Sequence, residues 1–242
     1  MSLTLLHHLR SSITVNIIST YLLTLLLLPL LRSSAQRHSI TPRISIVTSS
    51  VHNFTNLSAK CAPSIFAEMN VVDSKVAKMS TRYFDTKLLQ VLYTRALAGV
   101  LNSSSISSTD DDASFFADRS TTTTNNNNDN NNTTKKGNSG GDDVVINMLN
   151  PGFCDSELFK DPAMAFRVQM KIMGRSAEEG SRALVDAVAR GKESHGQYLS
   201  DCKVGRVSPW VRSEEGRRTQ ERVWREVNER LDMIVPGLVE NI

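Results

Sequence analysis

The sequence has few residues of the kinds that build disulfide frameworks or metal sites. Its three cysteines, Cys61, Cys154 and Cys202, are far apart and odd in number, and no Cys-x-x-Cys or Cys/His cluster occurs. Neither a disulfide framework nor a zinc site is indicated. Reduced, partly buried thiols fit a cytosolic protein. The five histidines also lack the spacing of metal ligands, and we expect each of them on the surface or in a loop.

The sequence also lacks a large excess of charge of one sign. It has 28 basic and 25 acidic residues, for a net charge of +3. The arginines between positions 212 and 230 alternate with glutamates, a mixture typical of a solvated helix face. A nucleic-acid interface would instead show clustered positive charge. We therefore expect no nucleic-acid partner.

Residues 102–143 lack the apolar side chains that a folded core requires. Ser, Thr, Asn, Asp and Gly dominate this segment, including the runs Thr121 to Thr124 and Asn125 to Asn128. Such a composition cannot bury enough apolar area to offset the entropy lost on ordering. We predict a disordered insertion at 102–143 in a single domain that comprises residues 1–101 and 144–242.

The long apolar run from Ile13 to Leu31 has two interpretations. A basic residue precedes it and Ser33-Ser34-Ala35 follows it, as in a signal peptide or membrane anchor. However, several polar residues lie within the run and Pro29 interrupts it, whereas a membrane span needs ~20 mostly apolar residues. We favour a buried helix of a soluble protein, and the anchor stays as an alternative.

The rest of the sequence alternates between strand and helix patterns. Ser33 to Pro42 resembles a polar connector before the first strand. Short β-branched or apolar runs predict strands at 43–50, 144–150 and 196–204, and amphipathic patterns predict helices at 83–101, from 176 and from 214. Ser176-Ala-Glu-Glu179 is a capping box. This alternation predicts a parallel sheet covered by helices on both faces.

Two motifs place polar side chains where a ligand could meet them. Ser49 and Ser50 end the first predicted strand, and the carboxyl ends of parallel strands face the ligand crevice. Tyr83 and Lys87 are four residues apart and so share one face of a helix. A nearby cation stabilises phenolate and lowers the pKa of a phenol, which makes a tyrosine a competent proton donor or acceptor.

A third motif, Asn150-Pro151-Gly152, follows the second predicted strand. Proline and glycine end a strand sharply and let the backbone approach a flat ring closely. Each motif alone is also typical of an ordinary turn or helix. Their order along the chain is more specific.

A strand ending in Ser, then Tyr-x-x-x-Lys, then a strand ending in Pro-Gly resembles the short-chain dehydrogenase/reductase family. The apolar helix is similar to the family's fourth helix, which carries an active-site asparagine. The Leu-Leu-Leu-Pro-Leu-Leu run and Asn-Pro-Gly-Phe are nearest to retinol-dehydrogenase-like members. The resemblance extends from Val15 to Val204, apart from the insertion. It implies an α/β fold with a partial Rossmann-type, doubly wound parallel sheet and flanking helices.

The resemblance implies a catalytic role for four residues. Tyr83 would exchange a proton with the substrate oxygen, and Lys87 would bind the nicotinamide ribose and lower the pKa of Tyr83. Ser50, in preference to Ser49, would polarise the substrate carbonyl. Asn16 would hold a water of a proton relay through a kink in its helix.

It also implies a binding site for NAD or NADP, which supplies the hydride. Pro151 and Gly152 would line the nicotinamide, and Ser156 would contact the carboxamide. Tyr83 and Lys87 complete this cofactor-binding set. No metal is implied.

The family's Gly-x-x-x-Gly-x-Gly turn, which seats the pyrophosphate at a helix amino terminus, does not occur. No glycine precedes Asn16, and the Asn-Asn-Ala-Gly strand and the residue that selects the ribose are missing too. We therefore expect the amino-terminal half of the sheet to be missing and the strand at Ile44 to Thr48 to lie at an exposed edge. The 242 residues alone are expected neither to bind NAD(P) tightly nor to turn over.

The function implied by the resemblance is oxidation or reduction of a small lipophilic alcohol or carbonyl compound, in the cytoplasm. A homodimer would form through the helices at 13–31 and 83–101. Two alternatives stay open: a catalytically inactive remnant of the same fold, and a membrane-anchored or secreted protein. Membrane contact through the leucine-rich segment is not favoured.

Overall fold

The computed structural model describes residues 11–71, 81–101, 144–152, 154 and 175–242. The predicted insertion at 102–143 and the predicted contact Ser156 lie outside these residues. The strands are β1 (Arg43–Val47), β2 (Val145–Asn150), β3 (Tyr198–Ser200) and β4 (Lys203–Gly205). They form one sheet in the order β1-β2-β3-β4, in which the first three strands are parallel and β4 is antiparallel. The predicted α/β class with a mostly parallel sheet is confirmed.

Five helices surround the sheet within the described ranges. The first, α1 (Ser11–His38), contains a π-helical segment at Thr14–Ser19. The others are α2 (Ile65–Asn70), α3 (Arg82–Leu101), α4 (Ala177–Ala189) and α5 (Glu214–Ile234). Short 3-10 helices occupy Ser50–Phe54, Ser58–Cys61, Lys192–Ser194 and Leu238–Asn241.

The α1 helix continues through Pro29 because other residues compensate for the missing N–H of proline. Proline cannot donate to the carbonyl of Leu25, four residues earlier. Asn241 Nδ2 donates to that carbonyl at 3.2 Å, and Arg32 donates to the carbonyl of Asn241 at 2.6 Å. The helix ends at His38, before Ser39 in the left-handed conformation. The polar connector predicted from Ser33 is therefore wrong for its first six residues.

The α3 helix is the centre of the main core. It has buried side chains on every face, from Leu88 and Leu92 to polar Thr94, because it lies between the sheet, α1 and α5. On α5, Val223, Val227 and Leu231 are fully buried against it, which confirms the predicted apolar face. Three rings join α1, α3 and α5: Tyr21 and Tyr93 have centroids 4.2 Å apart, and Trp224 stacks on Tyr93 at 5.0 Å.

The β1 strand lies at the edge of the sheet, as predicted, and Val47 at its end is exposed. The central strand β2 is buried at every position. The single strand predicted at 196–204 is wrong. Asp201 and Cys202 both have a φ of 55°, and this turn divides the segment into the β3–β4 hairpin.

The α4 helix begins as predicted, because Ser176 and Glu179 form the reciprocal hydrogen bonds of a capping box. Its predicted apolar stripe is only partly buried. Ala183 and Ala187 face the sheet, whereas Leu184 and Val188 are exposed. The small residues let α4 approach β2 closely, so the larger side chains turn outward.

Candidate active site

The carboxyl ends of β1 and β2 bring two of the sequence motifs side by side. Val47 pairs with Leu149, and the N–H of Thr48 donates to the carbonyl of Leu149 at 2.8 Å. The chain leaves β1 at Ser49 in an extended conformation and turns into a 3-10 helix at Ser50. It leaves β2 at Pro151. Both motifs therefore lie at one edge of the parallel sheet, where ligand crevices form.

Tyr83 and Lys87 lie on the first turns of α3, next to the end of β1. The Lys87 ammonium is 5.8 Å from the centroid of the Tyr83 ring. Lys87 is only 7% exposed, whereas Tyr83 is 37% exposed. The Lys87 end of the pair is thus almost fully buried, whereas the Tyr83 ring is only partly exposed to solvent.

Two neutral oxygens hold the Lys87 ammonium. Nζ donates to the carbonyl of Val47 at 3.0 Å and to Gln90 Oε1 at 2.9 Å. Burial disfavours the charged amine and lowers the pKa of Lys87 to about 8. Among the described residues no carboxylate offsets this desolvation, so the pKa of the amine stays below its usual range.

The pKa of Tyr83 moves in the opposite direction from the prediction. Burial raises it, and a hydrogen bond with the Ser49 side chain only partly offsets that rise. The predicted lowering by Lys87 fails because the amine, with a pKa of about 8, loses its proton before the phenol ionises. At neutral pH the phenol is therefore protonated and can donate a hydrogen bond to a carbonyl oxygen.

The serine side chain that affects the pKa of Tyr83 is that of Ser49. The catalytic role expected of Ser50 stays a prediction. Ser49 also caps the following 3-10 helix, since its Oγ accepts the N–H of Val51 at 3.4 Å. Ser50 contributes its main-chain carbonyl, which accepts from Asn53 Nδ2 at 3.0 Å. Two adjacent serines at a strand end are equivalent in the sequence, so only the direction of the turn distinguishes them.

Asn16 is fixed beside the same pair by α3. It lies in the π-helical segment of α1, and its Nδ2 donates to Thr86 Oγ1 at 3.0 Å. The main-chain carbonyl of Asn16 accepts a hydrogen bond from Gln90 Nε2 at 2.9 Å. Gln90, which sequence reasoning missed, thus connects Asn16 with Lys87. The helical spacing of three from Lys87 is the signal that could have revealed it.

His52 lies directly behind Ser49 and is fully buried, so a surface position is wrong for this residue. Its Nδ1 donates to the Ser49 carbonyl at 2.7 Å, and its ring meets Tyr198 edge-on at 5.0 Å. Burial lowers its pKa. A neutral imidazole therefore fixes the backbone of the serine that faces Tyr83.

Pro151 and Gly152 form a sharp turn at the end of β2. Gly152 has a φ of +84°, and its N–H donates to Asn150 Oδ1 at 3.2 Å. A Cβ at this position would lie 3.0 Å from the side chain of Arg175. The positive φ favours glycine, because other residues rarely adopt this conformation. The described contacts of this turn are with its own loop and Arg175.

A groove with a volume of about 450 Å³ runs between α1 and the free edge of β1. Its apolar walls include Leu23, Leu27 and Ile44. The polar groups Asn16, Lys87 and Gln90 line it as well. The site is therefore polar at the start of α3 and apolar along α1.

Comparison with known proteins identifies relatives over almost the whole chain. A short chain dehydrogenase/reductase of Cryptosporiopsis sp. is 36% identical over 235 residues, which are 96% of this chain and 61% of that protein. A short-chain dehydrogenase of Penicillium roqueforti is 35% identical over 95% of this chain and 53% of its own length. The chain is similar over almost its whole length to these short-chain dehydrogenases/reductases. No family model and no solved structure matches it.

Similarity to short-chain dehydrogenases/reductases is consistent with the order of the three motifs. A third relative, a short chain dehydrogenase of Gibberella zeae, is 28% identical over 99% of this chain and 61% of that protein. The chain thus spans between about half and two thirds of the lengths of these relatives. The nearer kinship with retinol-dehydrogenase-like members stays a prediction.

Proposed function

We propose that the protein is an NAD(P)-dependent oxidoreductase that acts on a small lipophilic alcohol or carbonyl compound. The observation that carries this proposal is the convergence of Ser49, Tyr83 and Lys87 at the carboxyl end of β1. The relatives' names describe dehydrogenases and reductases without a substrate. The apolar groove beside Lys87 supports a lipophilic substrate.

In the proposed reaction Tyr83 donates a proton to the substrate oxygen when a carbonyl is reduced, and accepts it when an alcohol is oxidised. Ser49, in place of the predicted Ser50, donates a hydrogen bond to the same oxygen. The raised pKa of Tyr83 keeps its proton in place at neutral pH, which suits the reductive direction. The bound nicotinamide would supply or accept the hydride.

The residues present fit one end of the cofactor. An ammonium has three N–H donors, and Lys87 uses two of them on Val47 and Gln90. The third is available for a ribose hydroxyl. Pro151 and Gly152 are the residues that we expect to line the nicotinamide, next to the Arg175 side chain that packs against Gly152. No Gly-rich turn for the pyrophosphate occurs in the 242 residues, so we expect the adenine end to add little affinity.

The other partners and the location belong to the same proposal. Of the two helices expected at a homodimer interface, α3 buries most of its side chains within the chain, whereas α1 exposes Leu23, Leu26 and Leu30. In length and apolar composition α1 also meets the requirements of a membrane span. We favour a cytoplasmic protein that associates through α1. Anchoring by α1 is the alternative, and no nucleic-acid partner is proposed.

A binding measurement tests the nicotinamide end of this site. Nicotinamide mononucleotide, NAD and NADP are titrated into the chain and followed by NMR. We expect weak, saturable binding of the mononucleotide, lost in Lys87→Met and kept in the exposed control Lys203→Met. NAD should bind no more tightly than the mononucleotide, and micromolar affinity for NAD would contradict that expectation.

The same titration separates the second candidate, a catalytically inactive remnant of the fold. A remnant would show no saturable binding of any of the three nucleotides. Equal binding by Lys87→Met and the unchanged chain would also contradict the proposed site, because the nucleotide would then bind elsewhere.

A further inference from the structure

Gln90 is the one side chain among the described residues that contacts both Lys87 Nζ and the π-helical segment of α1. Its Oε1 accepts a hydrogen bond from Lys87 Nζ at 2.9 Å, and its Nε2 donates to the main-chain carbonyl of Asn16 at 2.9 Å. Both ends of one planar amide are therefore engaged. Gln90 is 3% exposed, so neither contact exchanges readily with bulk water.

The position of Gln90 is itself fixed from α1. Tyr21 Oη donates to the main-chain carbonyl of Gln90 at 2.8 Å and lies 2.7 Å from Thr94 Oγ1. The π-helical segment and Tyr21 thus hold the side chain and the backbone of Gln90 at two points. A buried amide constrained in this way has one orientation, because the reverse orientation would place a donor against the ammonium.

We propose that Gln90 is a positioning residue of the oxidoreductase site: its amide ties the Lys87 ammonium to the Asn16 carbonyl and fixes the direction of the remaining N–H of Lys87. This inference rests on the proposed function for the ligand of that N–H. The contacts with Val47 and Gln90 leave one donor, and its direction is determined once the other two are fixed. Preorganising a donor reduces the entropy lost when a ribose hydroxyl binds.

The bridge also gives Asn16 a role besides the expected one. The resemblance implied that Asn16 would hold a water of a proton relay. In the structure the side-chain amide of Gln90 lies between the main-chain carbonyl of Asn16 and Lys87 Nζ and is hydrogen-bonded to both. A side-chain amide donates and accepts hydrogen bonds but does not take up and release a proton near neutral pH. The contact with Asn16 through Gln90 therefore positions Lys87, and the water relay expected at Asn16 stays a separate prediction.

The test compares two glutamines that are equally buried. Gln90→Met removes both hydrogen bonds with little change in volume, and Gln220→Met is the matched control on α5, where Gln220 is also 3% exposed. The pKa of Lys87 is measured by NMR of its side-chain carbon in both variants. A hydrogen bond to the charged form is worth roughly 1.5–3 kcal/mol, so Gln90→Met should lower the proton affinity of Lys87 about tenfold or more. Gln220→Met should leave it unchanged.

A second variant covers the case in which Gln90→Met does not fold. Gln90→Glu keeps the side-chain length and the acceptor and adds a negative charge beside the ammonium, so the pKa of Lys87 should rise. A pKa of Lys87 that stays the same in the folded Gln90 variants would overturn the inference, because a merely structural glutamine would not act on the amine.

Titration with nicotinamide mononucleotide separates this inference from the proposed function. If the pKa of Lys87 responds to Gln90 but the mononucleotide does not bind to the unchanged chain, the positioning contact stands and the proposed function fails. If the mononucleotide binds and Gln90→Met leaves both the pKa of Lys87 and the affinity unchanged, the proposed function stands and the inference fails.

Discussion

We expect the acidity of Tyr83 to depend on a hydrogen bond with the Ser49 side chain. That bond lowers the pKa of the phenol against the larger effect of burial. Replacing Ser49 by alanine should therefore raise the pKa of Tyr83, whereas Ser50→Ala should not, because the described contact of Ser50 is made by its carbonyl. The measurement is the pH titration of the Tyr83 ring carbon by NMR. An equal effect of the two substitutions would show that the wrong serine has been assigned.

Lys87 makes the stability of the chain depend on pH in a defined direction. Its pKa falls from 10.5 to about 8 on folding, so the folded state resists protonation. The sign follows from linkage between protonation and folding. The free-energy cost is full below pH 8 and disappears as the pH rises above 10.5, where both states are neutral. Relative to Lys87→Met, the free energy of unfolding should increase over this interval by about 3 kcal/mol at most.

Urea unfolding at a series of pH values measures this difference. The tyrosines whose pKa values are raised by burial destabilise the fold at high pH, but they are common to both proteins and cancel. If the difference between the two proteins does not change between pH 7 and pH 10, the amine is not desolvated as described.

The sequence predicts part of this site well. The spacing of Tyr83 and Lys87 places both on one helix face whatever surrounds them, because it depends only on the helical period. The choice between Ser49 and Ser50 depends on where β1 gives way to a 3-10 helix, which local sequence does not determine. The direction of the pKa change at Tyr83 depends on burial, which is a property of the packed molecule.

At the scale of elements, α3 is held chiefly by α5 and α1. The amphipathic sequence pattern predicted a helix at 83–101, and the helix in the structure spans Arg82–Leu101. Burial around the whole circumference could not be predicted, because it depends on α5 packing back from a distant part of the chain. The π-helical segment and the β3–β4 hairpin were missed for a related reason, since each depends on a few backbone angles.

Two leucines on different helices test this account of the core. Leu231 on α5 is fully buried against α3, whereas Leu184 on α4 is 40% exposed. Leu231→Ala should reduce the free energy of unfolding by about 2–5 kcal/mol, and Leu184→Ala by less than about 1 kcal/mol. Chemical denaturation measures both values. Similar losses for the two variants would contradict the assignment of α5 to the core.

At the scale of the whole molecule, two apolar surfaces are open. Among the described strands β1 pairs only with β2, and α1 exposes the stripe of Leu23, Leu26, Leu27 and Leu30. Exposed strand edges and contiguous apolar patches favour association. The predicted edge position of β1 is confirmed by the sheet order.

We expect the purified chain to self-associate through the α1 stripe as its concentration rises. A double variant, Leu26→Lys with Leu30→Lys, should shift the chain to monomer in analytical ultracentrifugation. The control pair Leu184→Lys and Val188→Lys alters the exposed apolar side chains of α4 and should associate like the unchanged chain. Association that is unaffected by the α1 pair would place the contact on another surface.

The central claim is that Tyr83 moves the proton in a hydride-transfer reaction. The most direct measurement is a single-turnover experiment, with the chain in excess over a lipophilic ketone and reduced nicotinamide mononucleotide at saturating concentration. The mononucleotide is used because it does not require a binding site for a pyrophosphate. We predict alcohol formation that falls by about 100-fold or more in Tyr83→Phe and persists in Tyr198→Phe, in which another buried phenol is changed. Equal rates in Tyr83→Phe and the unchanged chain, at saturating nucleotide, would contradict the claim.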